Sequence, residues 1–177
     1  RAIFRGRPLG SFLEGPSFDR DGNLFVVDIA HGRIFKISEA GEFTVVADYD
    51  GSPNGLKIHQ DGRIFVADRR NGIVEIDPVN GKVSVFIGPD QLPGYKGVND
   101  LFFGANGDLY FTEQGDSGLH DPTGRVFRQD SKGALHCLID NVPSPNGLVM
   151  DPDETLLYIA VTRANAVWRM PFRQDGS

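Results

Sequence analysis

Short runs of β-branched and aromatic residues, each about five long, are separated along the chain by turn residues. Residues 24–28, 64–68, 109–113 and 156–162 form one such set; 33–38, 73–77, 125–128 and 166–170 form the next, and 43–48, 83–87 and 134–139 an outer one. Asp21-Gly22-Asn23, Asp61-Gly62-Arg63 and Asn106-Gly107-Asp108 stand before three of the apolar runs, where Gly and Asn accept the positive φ of a tight hairpin. Runs of this length with alternating burial, joined by such turns, predict strands.

The pattern repeats. Glu14, Asn54, Asn99 and Asn146 open its successive copies at steps of 40, 45 and 47 positions, the period of a four-stranded propeller blade. The chain is therefore expected to be all-β, one partial β-propeller over residues 1–177 with blades at approximately 14–50, 51–95, 96–142 and 143–177. The last repeat lacks an outer strand and the chain does not begin with Met, so a further segment or another chain is expected to complete the ring. Residues 3–4 and 11–13 are candidates to lend a strand to another blade. The link 114–124 is longer than its counterparts in the other repeats, which predicts a functional rim or lid.

Composition narrows the function. Eighteen Lys and Arg against 24 Asp and Glu leave a net charge of −6, which argues against nucleic acid as a partner. The single Cys137, expected to be buried and inert, allows no internal disulfide. No apolar run reaches the length of a membrane span, and residues 1–7 lack the apolar core of a secretion signal, so no membrane partner and a cytoplasmic location are expected. There is no Gly-x-Ser-x-Gly nucleophile motif, which disfavours covalent catalysis.

In a propeller the first strands line the axis, so Glu14, Asn54, Asn99 and Asn146 are expected to converge there. One carboxylate and three carboxamides, with no Cys or His among them, suit a hard cation such as Ca²⁺. Zn²⁺ or Mn²⁺ would also fit so open an oxygen site. Asp100 is the neighbouring carboxylate and a candidate proton acceptor; His120, in the long link, is a candidate substrate contact. Asp28, Asp68 and Glu113 recur at the ends of second strands and read as blade-packing groups.

Glu14-Gly15-Pro16, Asn99-Asp100-Leu101, residues 109–113, Pro145-Asn146-Gly147-Leu148, Asp151, Leu156 and Tyr158, in this order and spacing, resemble the gluconolactonase/regucalcin (senescence-marker-protein) family of six-bladed propellers. The resemblance implies hydrolysis of a small-molecule lactone at an axial divalent cation. It assigns Glu14 and Asn146 as metal ligands, and Asn99 as a ligand or a substrate-contacting amide beside Asn54. A further ligand and general-base Asp would belong to a following blade. Gly97 stands where some members carry Arg, with Lys96 next to it as a substitute cation. The competing expectation is a non-catalytic NHL-like propeller scaffold that binds protein, for which the repeats 21–28 and 61–68 also serve.

Overall fold

A computed structural model describes residues 3–4, 7–8 and 10–172. It divides into two compact units, Arg1–Tyr95 and Lys96–Ser177.

In the first unit, β1 (Ile3–Phe4) and β2 (Arg7–Pro8) pair with each other and, among the described residues, join none of the larger sheets. Two four-stranded antiparallel sheets follow. One runs in sequence order through β3 (Leu13–Phe18), β4 (Leu24–Asp28), β5 (Arg33–Ile37) and β6 (Phe43–Asp48). The other does the same through β7 (Pro53–Ile58), β8 (Ile64–Asp68), β9 (Gly72–Ile76) and β10 (Val83–Ile87). Phe25, Val27, Ile34, Leu56, Ile64, Val66 and Val74 fill the space between these sheets. Each such side chain stabilises the fold by roughly 1.5–3 kcal/mol through loss of water contact. Packing on both faces is why β8 is buried along its whole length, with an apolar run Ile64–Ala67 rather than an alternation.

The second unit repeats the plan. Its first sheet comprises β11 (Val98–Phe103), β12 (Leu109–Glu113), β13 (Gly124–Gln129) and β14 (Leu135–Val142); its second comprises β15 (Pro145–Met150), β16 (Leu156–Val161) and β17 (Ala166–Pro171). Tyr110, Val126, Val142, Leu148, Leu157 and Ile159 form the core between them. The architecture is all-β, with four successive up-and-down sheets in a propeller arrangement. No helix among the described residues is long and apolar enough to cross a membrane.

Three carboxylates with no solvent exposure end the second strands: Asp28, Asp68 and Glu113. Each clamps the chain entering its own first strand. Asp28 accepts the amide hydrogens of Phe12 and Ala30. Asp68 accepts those of Ser52, Arg70 and Asn71 and the hydroxyl of Tyr49. Glu113 accepts the Lys96 amide hydrogen at 2.6 Å and the Arg125 guanidinium. The fourth copy has no carboxylate. Val161 stands there, and the Ser144 amide hydrogen goes instead to Ser117 Oγ, at 3.1 Å, in the long link.

Burial, then the Asp68 charge and the hydrogen bond to it, push the Tyr49 phenol far above its ordinary value of 10.0. The folded-state value lies above the unfolded one, so this stabilisation is complete below about pH 10 and is lost as the pH rises further. Tyr49→Phe is expected to lower stability by about 1.5–3 kcal/mol at neutral pH, since the lost bond is to a charged group. It should also flatten the alkaline decline. Denaturant midpoints at about pH 7 and pH 10.5 check both effects, and an unchanged alkaline slope would count against the assignment.

Cys137 differs from the sequence expectation. It lies on β14, the outermost strand of its sheet, and is exposed rather than buried. Partial desolvation nevertheless raises its thiol pKa.

Candidate metal and substrate site

The four first strands open in one register. Leu13 pairs with Asp28, Pro53 with Asp68, Val98 with Glu113 and Pro145 with Val161; the next residue in each is Glu14, Asn54, Asn99 or Asn146. Each strand then carries an extra residue, at Glu14/Ser17, Pro53/Gly55, Val98/Leu101 and Pro145/Leu148. A bulge at a strand end breaks the ladder and re-aims side chains, so the irregularity falls where candidate ligands need freedom from the pleat. In the first unit β3 and β7 approach so closely here that a Cβ on Gly15, at φ 57°, would collide with the Asn54 carbonyl oxygen and the Leu56 nitrogen. Only glycine fits both that space and that backbone conformation.

In the second unit the structure ties the backbone of Asp100 to that of Asn146. The fully buried Thr112 is the link: its hydroxyl accepts the Asp100 amide hydrogen at 3.1 Å and donates to the Asn146 carbonyl at 2.8 Å. Asp100 Oδ2 lies 3.4 Å from the position a Cβ on Gly147 would take, so the carboxylate faces the neighbouring bulge.

Asn99 is 4% exposed. Its Nδ2 donates to Gln114 Oε1 at 3.1 Å, while its Oδ1 is buried without a hydrogen-bond partner among the described residues. A buried carbonyl oxygen left unpaired costs about 1–3 kcal/mol unless something else satisfies it. An oxygen ligand to a hard cation would do so, and the donor set of amide and carboxylate oxygens fits Ca²⁺ chemistry. Among the described residues no cluster of three or more His, Cys, Asp or Glu side chains is assembled, so carboxamides would have to make up such a ligand set.

Glu14 is exposed on β3, and Asn54 is half-buried on β7. His120 is exposed in the long link. With Asp116, Leu119, Asp121, Thr162 and Arg163 it lines a shallow cleft of about 500 Å³ in the second unit. Lys96 does not present a free ammonium; it donates to the Thr123 carbonyl at 2.6 Å.

Sequence reasoning missed Thr112, Gln114, Ser117 and Ser144. One signal was available: Val27 and Ala67 occupy the Thr112 position in the first two repeats, so a hydroxyl there breaks an apolar pattern. Gln114 and Ser117 carried no such mark, because the long link cannot be aligned residue by residue with the shorter links of the other repeats.

Four bladed sheets with polar residues in register at the openings of their first strands define a β-propeller. The chain belongs to the SMP-30/Gluconolactonase/LRE-like region family, whose model it matches over residues 12–177. It is 31% identical over 173 residues to Lactonase drp35 of Staphylococcus aureus, covering 94% of this chain and 53% of that protein. It therefore spans about half the length of the curated relatives it matches. Among solved structures, a gluconolactonase from Xanthomonas campestris superposes with TM-score 0.81 at 22% identity, over 94% of this chain and 60% of the other. A calcium-binding regucalcin from Agrobacterium tumefaciens does so with TM-score 0.76 at 22% identity, over 93% of this chain and 55% of the other.

Proposed function

We propose that the chain carries the metal-binding strands of a lactone hydrolase. Glu14, Asn99 and Asn146 would hold a divalent cation, with Ca²⁺ favoured over Mn²⁺ or Zn²⁺ by the hardness of amide and carboxylate oxygens. The observation that carries this reading is the buried Oδ1 of Asn99, which has no hydrogen-bond partner among the described residues and stands at a strand position shared with Glu14 and Asn146. The names of the relatives, lactonase, gluconolactonase and calcium-binding regucalcin, agree with it.

When bound, such an ion supplies Lewis-acid polarisation of the lactone carbonyl. The protein's own groups have the remaining tasks. Water attacks the carbonyl carbon, the ring C–O bond breaks, and the product is a hydroxy acid. Asp100, beside Asn99, is proposed to take the proton from the attacking water and return it to the ring oxygen as the C–O bond breaks. Asn54 and Asn99 are proposed to orient the substrate through their carboxamides, and His120 to touch its far side from the long link. The substrate class is the small polyhydroxy lactones, whose hydroxyls match these amide and imidazole partners.

The test is hydrolysis of a panel of aldonolactones by the protein at its natural length, with added Ca²⁺, Mn²⁺ or Zn²⁺ and after chelation. Chelation is expected to lower kcat/KM at least about 100-fold, since a Lewis-acid contribution is worth several kcal/mol, and one of the ions should restore it. Turnover that survives chelation would remove the metal from the mechanism. No turnover of any lactone under any ion would leave the propeller as a binding scaffold.

A further inference from the structure

The geometry points to Gln114 as the positioning residue that turns the Asn99 carboxamide oxygen toward the cation; this rests on the reading of Asn99 as a ligand. An asparagine side chain can present either its oxygen or its amino group in one place, and a cation site works only with the oxygen. Gln114 sets the choice. Its own amide nitrogen donates to Ser144 Oγ at 2.9 Å, and with Oε1 then facing Asn99, that oxygen accepts only from the Asn99 amino group, at 3.1 Å. The Asn99 oxygen is thereby aimed the other way, where it has no partner among the described residues.

The orienting amide is itself held. Ser117 Oγ donates to the Gln114 carbonyl and accepts the Ser144 amide hydrogen at 3.1 Å, so a closed set of bonds joins 114, 117 and 144. Ser117 and Ser144 are 2% and 3% exposed, which shelters the set from water that could compete for these bonds. The long link thus serves the site from its base as well as from its rim. Outer partners of this kind fix the orientation of metal ligands, and their loss typically lowers affinity 10–100-fold.

Ca²⁺ titration calorimetry on the natural-length protein tests this without reference to turnover. Gln114→Leu is expected to weaken Ca²⁺ binding by about 10–100-fold. In an Asn99→Asp background, where both side-chain oxygens are alike and there is nothing to orient, the same Gln114→Leu change should have almost no effect. Unchanged affinity in Gln114→Leu, or an equal loss in both backgrounds, overturns the positioning role and leaves Asn99 as a ligand. Parental affinity in Asn99→Ala overturns the ligand reading as well. Should Gln114→Leu fail to fold by circular dichroism, Ser144→Ala carries the test: it removes only the acceptor that holds the Gln114 amide, and unchanged Ca²⁺ affinity there is equally decisive against the role.

Discussion

Asn99→Ala is expected to lower kcat/KM for an aldonolactone by at least about 100-fold and to weaken Ca²⁺ binding by a similar factor. Loss of an outer partner alone commonly reaches 10–100-fold, and a direct ligand should exceed it. The substitution deletes a buried oxygen that has no other hydrogen-bond partner among the described residues, so folding loses little beyond the bond to Gln114. Stability and function should therefore separate: the thermal midpoint in the absence of cation changes only slightly, while Ca²⁺ no longer raises it. Asn54→Ala serves as the comparison. It is half-buried and stands in the same register, and as a substrate contact it should raise KM more than it lowers Ca²⁺ affinity. Near-parental kinetics and Ca²⁺ affinity in Asn99→Ala would be incompatible with the proposed site.

Asp68→Ala is expected to be the most damaging single change to the fold, destabilising it by about 4 kcal/mol. Four donors converge on this fully buried carboxylate: the backbone amides of Ser52, Arg70 and Asn71 and the Tyr49 hydroxyl. Each donor left without an acceptor costs about 1–3 kcal/mol, and partial rearrangement or entry of water brings the sum below the simple total. Denaturant unfolding monitored by circular dichroism measures the loss; a change under about 1 kcal/mol would contradict the clamp. The nearby Arg70–Asp50 pair has similar chemistry and the opposite expectation. Its side chains are 55% and 88% exposed, so water screens it and Asp50→Ala should leave the midpoint unmoved.

These two residues also show what was legible in the sequence. The repeat period and the turn chemistry placed the strands, because hairpin glycines and runs with a period of two are local signals that packing did not override. The register of Glu14, Asn54, Asn99 and Asn146 was readable for the same reason, and strand pairing puts all four second in their strands. Asp68 was visible as a repeated acidic residue, and packing explains the repetition: a buried carboxylate must be surrounded by donors, and a recurring blade entry supplies them. The partners of Asn99 were not legible. Gln114 meets it across 15 positions and Ser144 lies another 30 beyond, so those contacts depend on tertiary packing that no local pattern encodes. Cys137 failed for a related reason, since an apolar run identifies a strand without saying whether that strand lies inside or at the outer edge of its sheet.

The transfer of the fourth clamp from a carboxylate to Ser117 bears on how the substrate range of such a protein could be re-engineered. Loop exchange treats a connection as a detachable module, yet here its root is shared masonry: Gln114 and Ser117 tie down Ser144 at the head of the next sheet. A graft that swaps the whole of 114–124 would loosen its neighbour as well. The exposed tip, Leu119 to Pro122, is the part that can be diversified on its own.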